Sequence, residues 1–301
     1  MKLIIDIIRS IFIYFIAFTV FLFFGPIVLI LVIADTKNSS KYIIPFCQFM
    51  IRIFGCKLQV FGSFPNDQDT FVIMANHVSF LDVFAVPSVF PKNKNFSAIA
   101  ASKNFKIPIY SSFLRRMRVI SIDRSNREQA IAGIKKSEDV LRDGYHITIL
   151  PEGTRTLDGK LGPFKKGGFH LAVDTNTPIL PIITKGLFDI KPRNRWIIKP
   201  GIIKVYIKKP IFPDKKTVLE LLEETNKNSN PQLQRNEATR QARSHRILDA
   251  TAPDRCARRK SRGRKSHSVA TVHSQARRRR LSSGIGTGAL GLRGAAVQRP
   301  P

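Results

Sequence analysis

The sequence predicts an α/β domain, with a mostly parallel or mixed sheet flanked by helices, set between an N-terminal membrane helix or helix pair and a disordered C-terminal tail. Three observations predict it: a long uncharged stretch near the N-terminus, seven short β-branched runs separated by helix-compatible segments, and an abrupt loss of aromatic residues late in the chain.

The uncharged stretch covers residues 10–34 and is rich in Ile, Phe, Leu and Val. A helix of about 20 apolar residues crosses the hydrocarbon core of a bilayer. The stretch is too long for the apolar part of a signal peptide, and no small-residue cleavage site follows it. Gly25-Pro26 interrupts it and permits a kink, or two shorter helices dipping into one leaflet. Lys37, Lys41, Arg52 and Lys57 come next. The positive-inside bias therefore places the remaining chain on the cytoplasmic face of an inner membrane.

Within residues 42–225 the β-branched runs fall at 58–61, 71–75, 97–101, 119–122, 147–150, 179–184 and 203–207. The best helical segment is 126–142, where Ala130, Ile134 and Leu141 recur near helical spacing and Gly144 stops the run. Strands alternating with helices make a layered α/β domain. Residues 1–41 form the anchor segment and 226–301 the tail.

The tail differs in kind. All 22 Phe residues precede Pro213, and residues 226–301 contain no aromatic residue and 18 Lys or Arg against three acidic residues. Such a segment buries too little apolar area to offset its ordering entropy and is expected to be disordered. The break in composition reads as a foreign or frameshifted end. The whole chain carries a formal charge of +29, which suits anionic partners: nucleic acid, an acidic membrane surface or phosphorylated substrates. The basic runs 258–265 and 277–280 lack aromatic neighbours for base stacking, so specific nucleic-acid binding is not expected. Cys47, Cys56 and Cys256 have no spacing that suggests a disulfide framework or a zinc site.

Four segments carry chemistry or shape. In Asn76-His77-Val78-Ser79-Phe80-Leu81-Asp82, a strand ends and a helix begins, a junction where open α/β sheets place ligands. His77 is a candidate general base, and Asp82 can fix its tautomer and stabilise its charged form. Alone, such a pair also fits a capping histidine beside an unrelated aspartate. In Pro151-Glu152-Gly153-Thr154-Arg155, Gly153 permits close backbone approach to an anion, and Arg155 has the fork geometry for a phosphate. An ordinary loop with a Glu152–Arg155 surface pair is the plainer reading. Ile120-Ser121-Ile122-Asp123-Arg124 ends a strand in another guanidinium. Thr177-Pro178-Ile179-Leu180-Pro181-Ile182 is a proline-flanked strand suited to lining an acyl slot. His146 and His170 look isolated. Ser79 and Ser121 lack the G-x-S-x-G turn that exposes a nucleophilic serine.

Taken together and in this order, the four segments resemble the blocks of the glycerolipid acyltransferases, specifically the bacterial 1-acyl-sn-glycerol-3-phosphate acyltransferases. Lys103 and the Phe-Lys-Lys-Gly stretch at 164–167 also stand where that family carries such residues. The resemblance covers roughly residues 40–210. It departs in the second block, where Met117-Arg118 replace the family's usual glycine. The resemblance implies acyl transfer from acyl-CoA or acyl carrier protein to the sn-2 hydroxyl of lysophosphatidic acid, with His77 as base and Asp82 as its orienting partner. It also implies that Arg155, Arg124 and Lys103 hold the phosphate, with Glu152, Gly153 and Thr154 around the acceptor. Direct transfer needs no metal and no cofactor beyond the thioester. Glycerol 3-phosphate or another lyso-lipid is the alternative acceptor. A deletion of residues 226–301 is expected to leave acyl transfer intact when assayed in membranes; loss of turnover on truncation would contradict the reading of the tail.

Overall fold

A computed structural model describes residues 1–65, 70–107, 110–123 and 125–229. All seven expected strands are present: β1 (Lys57–Phe61), β2 (Val72–Ala75), β3 (Phe96–Ala101), β4 (Ile120–Ile122), β5 (His146–Ile149), β6 (Ile179–Lys185) and β7 (Ile202–Ile207). They form one mixed sheet in the order β1-β7-β6-β2-β5-β3-β4. From β6 to β4 the pairings are parallel; β7 runs antiparallel to β6, and β1 follows β7 in parallel.

Residues on β2 alternate between two cores, as a strand buried on both faces requires. Phe71, Ile73 and Ala75 pack on one side with Leu180, Ile182, Ile203 and Val205. Val72 and Met74 pack on the other with Ile147, Ile149, Phe169, Leu171 and Leu221. The first core is covered by α1 (Lys2–Ala34), α2 (Ser40–Ile53) and the short α3 (Asp82–Ala85). The second lies under α5 (Arg127–Arg142), α6 (Gly167–Asp174) and α8 (Val218–Ser229). Two further short helices, α4 (Tyr110–Arg116) and α7 (Leu187–Ile190), lie between strands.

Helix α5 matches the expected segment to within a residue. Asn126 caps it by accepting from the Gln129 N–H at 3.0 Å, satisfying one of the orphan donors of the first turn. Gly133 lets it approach β4 closely, because a Cβ there would meet Ile122 Cγ1 at 2.7 Å.

Helix α1 is long and apolar enough to cross a membrane. It continues through Pro26, so the interruption permitted by Gly25-Pro26 does not divide it. Helix α2 pairs with it through Phe21–Phe46 and Phe24–Phe49 ring contacts. The N-terminal half of α1 is also tied to the domain: Ile198 N–H donates to Ser10 Oγ at 3.0 Å, and Tyr14 OH donates to the Trp196 carbonyl at 2.7 Å. Helix α8 runs to Ser229, with Thr225 and Ser229 buried. It therefore crosses the boundary expected at residue 225, and a clean truncation should begin after Ser229. The remainder of the expected tail lies outside the described residues.

Arg118 stands where the resemblance led one to expect glycine, and its φ is 56°. An L-residue in this left-handed region costs about 1–2 kcal/mol. The neighbourhood holds it there. Arg118 pairs with Asp143, its guanidinium lies 5.1 Å from the Tyr145 ring centroid, and its carbonyl accepts from Ser97 Oγ at 2.6 Å.

His146 opens β5 in the core, stacked against Phe71 and close to Phe64. Its Nδ1 accepts the Phe71 N–H at 3.0 Å, so the ring is neutral with its proton on Nε2. Protonating Nδ1 would set two donors against each other. Burial, and secondarily the charge of Lys94, lowers its pKa from 6.5 to about 4. A histidine depressed in the folded state takes up its proton first in the unfolded state. Its contribution is therefore complete above pH 6.5 and is lost as the pH falls towards 4. The loss at the acid limit is about 3 kcal/mol. Melting temperatures across pH 7 to 4 should fall more steeply for the wild type than for His146→Gln, which keeps an acceptor but does not titrate; parallel curves would refute this assignment.

Candidate active site

Strands β2 and β5 are neighbours in parallel, with Met74 opposite Ile149. The chain leaves β2 for β3 and β4 and returns to β5, so the loops after β2 and β5 emerge side by side at the carboxyl edge. This is where crevices form in open α/β sheets. The His77 segment leaves β2 there, and the Glu152 segment leaves β5.

The first loop is fixed at its root by Asn76. Its side-chain amide donates to the Thr184 carbonyl at 2.9 Å, and its side-chain carbonyl accepts the Thr184 N–H at 2.7 Å. The amide thus extends the β2–β6 ladder beyond Ala75. Asp82, at the first turn of α3, then closes the loop. Its Oδ2 accepts from His77 Nδ1 at 2.8 Å, from Val78 N–H at 2.8 Å and from Ser79 N–H at 3.0 Å. Asp82 is 2% exposed, whereas the His77 side chain is 22% exposed. The carboxylate is sheltered and the imidazole reaches solvent. With Nδ1 held as donor by Asp82, Nε2 is left as the outward acceptor.

The second loop is locked to the first by Glu152. Its Oε1 accepts the His77 N–H at 2.7 Å and its Oε2 accepts the Gly162 N–H at 2.8 Å. Thr156 N–H donates in turn to the His77 carbonyl at 3.0 Å. Burial pushes the Glu152 carboxyl up from its ordinary range, and these two amide donors oppose the shift. Gly153 has φ 75°, the backbone freedom expected of it. Its own N–H donates to the Leu150 carbonyl at 2.9 Å. The Gly153 amide is therefore not free to meet an anion. The amide N–H groups of Thr154 and Arg155 have no acceptor among the described residues. A cavity of about 360 Å³ opens beside Glu152, Thr154 and Gly162.

The structure brings His77, Asp82, Glu152, Gly153, Thr154 and Arg155 together at this edge. The expected Glu152–Arg155 surface pair does not form, since both Glu152 oxygens are taken by backbone N–H groups. Arg155 is half-buried and forms no ion pair among the described residues. Lys103 is exposed in a short 3₁₀ turn (Ser102–Lys106) after β3, which adjoins β5. Arg124 lies outside the described residues. Asn76 was overlooked in the sequence, although it precedes His77 in the same block. Its role depends on Thr184, 108 residues away, and no local pattern reveals that.

Residues 58–185 match the acyltransferase family model. Over much of the same region the chain is similar to proteins named 1-acyl-sn-glycerol-3-phosphate acyltransferase. It is 34% identical to a chloroplast 1-acyl-sn-glycerol-3-phosphate acyltransferase of Arabidopsis thaliana, over 60% of this chain and 48% of that protein. A chloroplast counterpart from Brassica napus is 31% identical over 54% of this chain and 46% of its own length. The chain thus spans about half the length of these curated relatives. Among solved structures it is similar to the 1-acyl-sn-glycerophosphate (LPA) acyltransferase PlsC from Thermotoga maritima. That likeness has a TM-score of 0.67 and 27% identity, and covers 79% of this chain and 98% of the other.

The geometry makes Glu152 a clamp between two loops. Glu152→Ala should lower both the melting temperature and the turnover by freeing the His77 backbone, with a stability loss of about 1–3 kcal/mol. Glu152→Gln, which still accepts one N–H, should fall between the two; a Glu152→Ala variant as stable and active as wild type would refute the clamp.

Proposed function

We propose that the chain transfers a fatty acyl group from an acyl thioester to the sn-2 hydroxyl of lysophosphatidic acid, yielding phosphatidic acid for phospholipid synthesis. The observation that carries this reading is the 2.8 Å contact between His77 Nδ1 and the buried Asp82, at the same sheet edge as Arg155.

His77 Nε2 takes the proton of the acceptor hydroxyl as its oxygen attacks the thioester carbonyl. Asp82 holds the imidazole in the required tautomer and supports its charge. General-base catalysis of this kind contributes about 10²–10⁴-fold. The amide N–H groups of Thr154 and Arg155 are the candidate donors to the developing oxyanion. Collapse of the tetrahedral intermediate expels the thiolate, which takes the proton back from the imidazolium. The Arg155 guanidinium holds the acceptor phosphate, with Arg124 and Lys103 as further cations. Glu152 and Gly153 shape the loop around the acceptor. The donor is acyl-CoA or acyl carrier protein, and the chemistry calls for no metal or other cofactor.

Location supports the reading. Helix α1 holds the domain at a bilayer, where both lyso-lipid and product reside, and the basic flank after residue 34 favours the cytoplasmic face of the inner membrane. Glycerol 3-phosphate is the second acceptor to consider, since it offers the same phosphate and a hydroxyl. In membranes carrying the protein, lysophosphatidic acid should be acylated in preference to glycerol 3-phosphate, measured by mass spectrometry of the products. His77→Ala should reduce turnover by about 10²–10⁴-fold with the fold retained. Undiminished turnover in that variant would eliminate the base, and a preference for glycerol 3-phosphate would reassign the acceptor.

A further inference from the structure

The loop after α7 buries a cation that the reading above leaves unused. Lys191 is 8% exposed. Its Nζ donates to the Pro192 carbonyl at 3.0 Å and lies 5.7 Å from the Phe80 ring centroid. Its carbonyl accepts from Ser79 Oγ at 2.7 Å. Phe80 and Ser79 belong to the loop that Asp82 closes, so the ammonium sits against the wall of the candidate active site.

The electrostatics around it are one-sided. Among the described residues Lys191 forms no ion pair, and the charges that contribute to lowering its pKa are those of Arg155 and Arg195. Burial, then these two neighbours, lowers its pKa. Arg195 is already committed: its guanidinium donates to the carbonyls of Asp189, Ile190 and Ile197. Lys191 lies against Phe80 and Ser79 of the His77 loop, and the segment that carries Arg155 meets the same loop where Thr156 N–H donates to the His77 carbonyl; among the described residues neither cation forms an ion pair. A buried charge is costly unless paired. The hydrogen bond to the His77 loop runs through the Lys191 backbone carbonyl, so it survives replacement of the side chain.

We propose that Lys191 is a binding residue for the acceptor, forming with Arg155 a two-cation clamp on its phosphate monoester. This rests on the acyl transfer reading above. The bound dianion would supply the missing counter-charge to both side chains. Phe80, beneath the ammonium, would hold it in place through its ring face. The lysine would thereby favour acceptors with a terminal phosphate over lyso-lipids whose phosphate is esterified. A phosphate-bearing donor such as acyl-CoA offers related chemistry, so the two substrates must be tested separately.

The test uses the full chain in membranes or detergent, with Lys191→Met, Lys191→Gln and Lys191→Arg, and lysophosphatidic acid and acyl-CoA varied independently. Removing a hydrogen bond to a charged group predicts a rise of about tenfold or more in KM for lysophosphatidic acid in the Met and Gln variants. The KM for acyl-CoA and the melting temperature should stay near wild type. Lys191→Arg should recover most of the lost affinity. An unchanged KM for lysophosphatidic acid would overturn the proposal, as would a rise confined to acyl-CoA. So would failure of both uncharged variants to fold, which would make the lysine structural. Absence of lysophosphatidic acid acylation by the wild type would instead remove the underlying functional reading.

Discussion

One oxygen atom organises the site. Asp82 Oδ2 accepts three hydrogen bonds, two from consecutive backbone N–H groups and one from the His77 ring. The backbone donors fix the carboxylate, and the carboxylate fixes the imidazole. A loop that turns from the end of β2 into α3 would otherwise leave these amides unsatisfied in a buried setting, which is costly. The same interactions therefore make the turn and orient the imidazole. The four-residue gap between His77 and Asp82 is what lets a carboxylate in the first turn of α3 reach back over the loop.

The second constraint is the adjacency of β2 and β5. It comes from topology, since the chain visits β3 and β4 before returning to β5 beside β2. Glu152 converts that adjacency into a fixed spacing by gripping the His77 backbone from the neighbouring loop. The result is an imidazole on one loop and a guanidinium on the other, with the loops joined through the His77 main chain. Preorganisation of this kind keeps the reacting groups aligned before substrate arrives.

Much of the fold was legible because the central strands β2 and β6 are buried on both faces. Its strands read as short β-branched runs with charged or glycine-containing ends, and each run became a strand with small shifts at the boundaries. Helix α2 was harder. Pro45 lies inside it and obscures the pattern, although Ile43, Ile44, Cys47, Met50 and Ile51 recur on a helical face and are all buried. In the site, His77, Asp82 and Glu152 were visible because they sit in compact motifs. Their bonding was less so. A Glu152–Arg155 surface pair was the plainer reading of the sequence, but both Glu152 oxygens accept backbone N–H groups within the folded loops. Asn76 and Lys191 depend on residues about 110 positions away, and local sequence carries no trace of such pairings. Arg118 shows the converse: a residue of the wrong conformational type is held in a glycine-like geometry by its ion pair and ring contact.

In the proposed function, Asp82 serves catalysis through His77. A double-mutant cycle on acyl transfer, combining Asp82→Asn with His77→Ala, measures that dependence directly. Groups that act as one unit are non-additive, so Asp82→Asn should slow the otherwise wild-type enzyme but cost little further rate once His77 is alanine. If Asp82→Asn slows both backgrounds by the same factor, the two residues act independently and the site does not work as described.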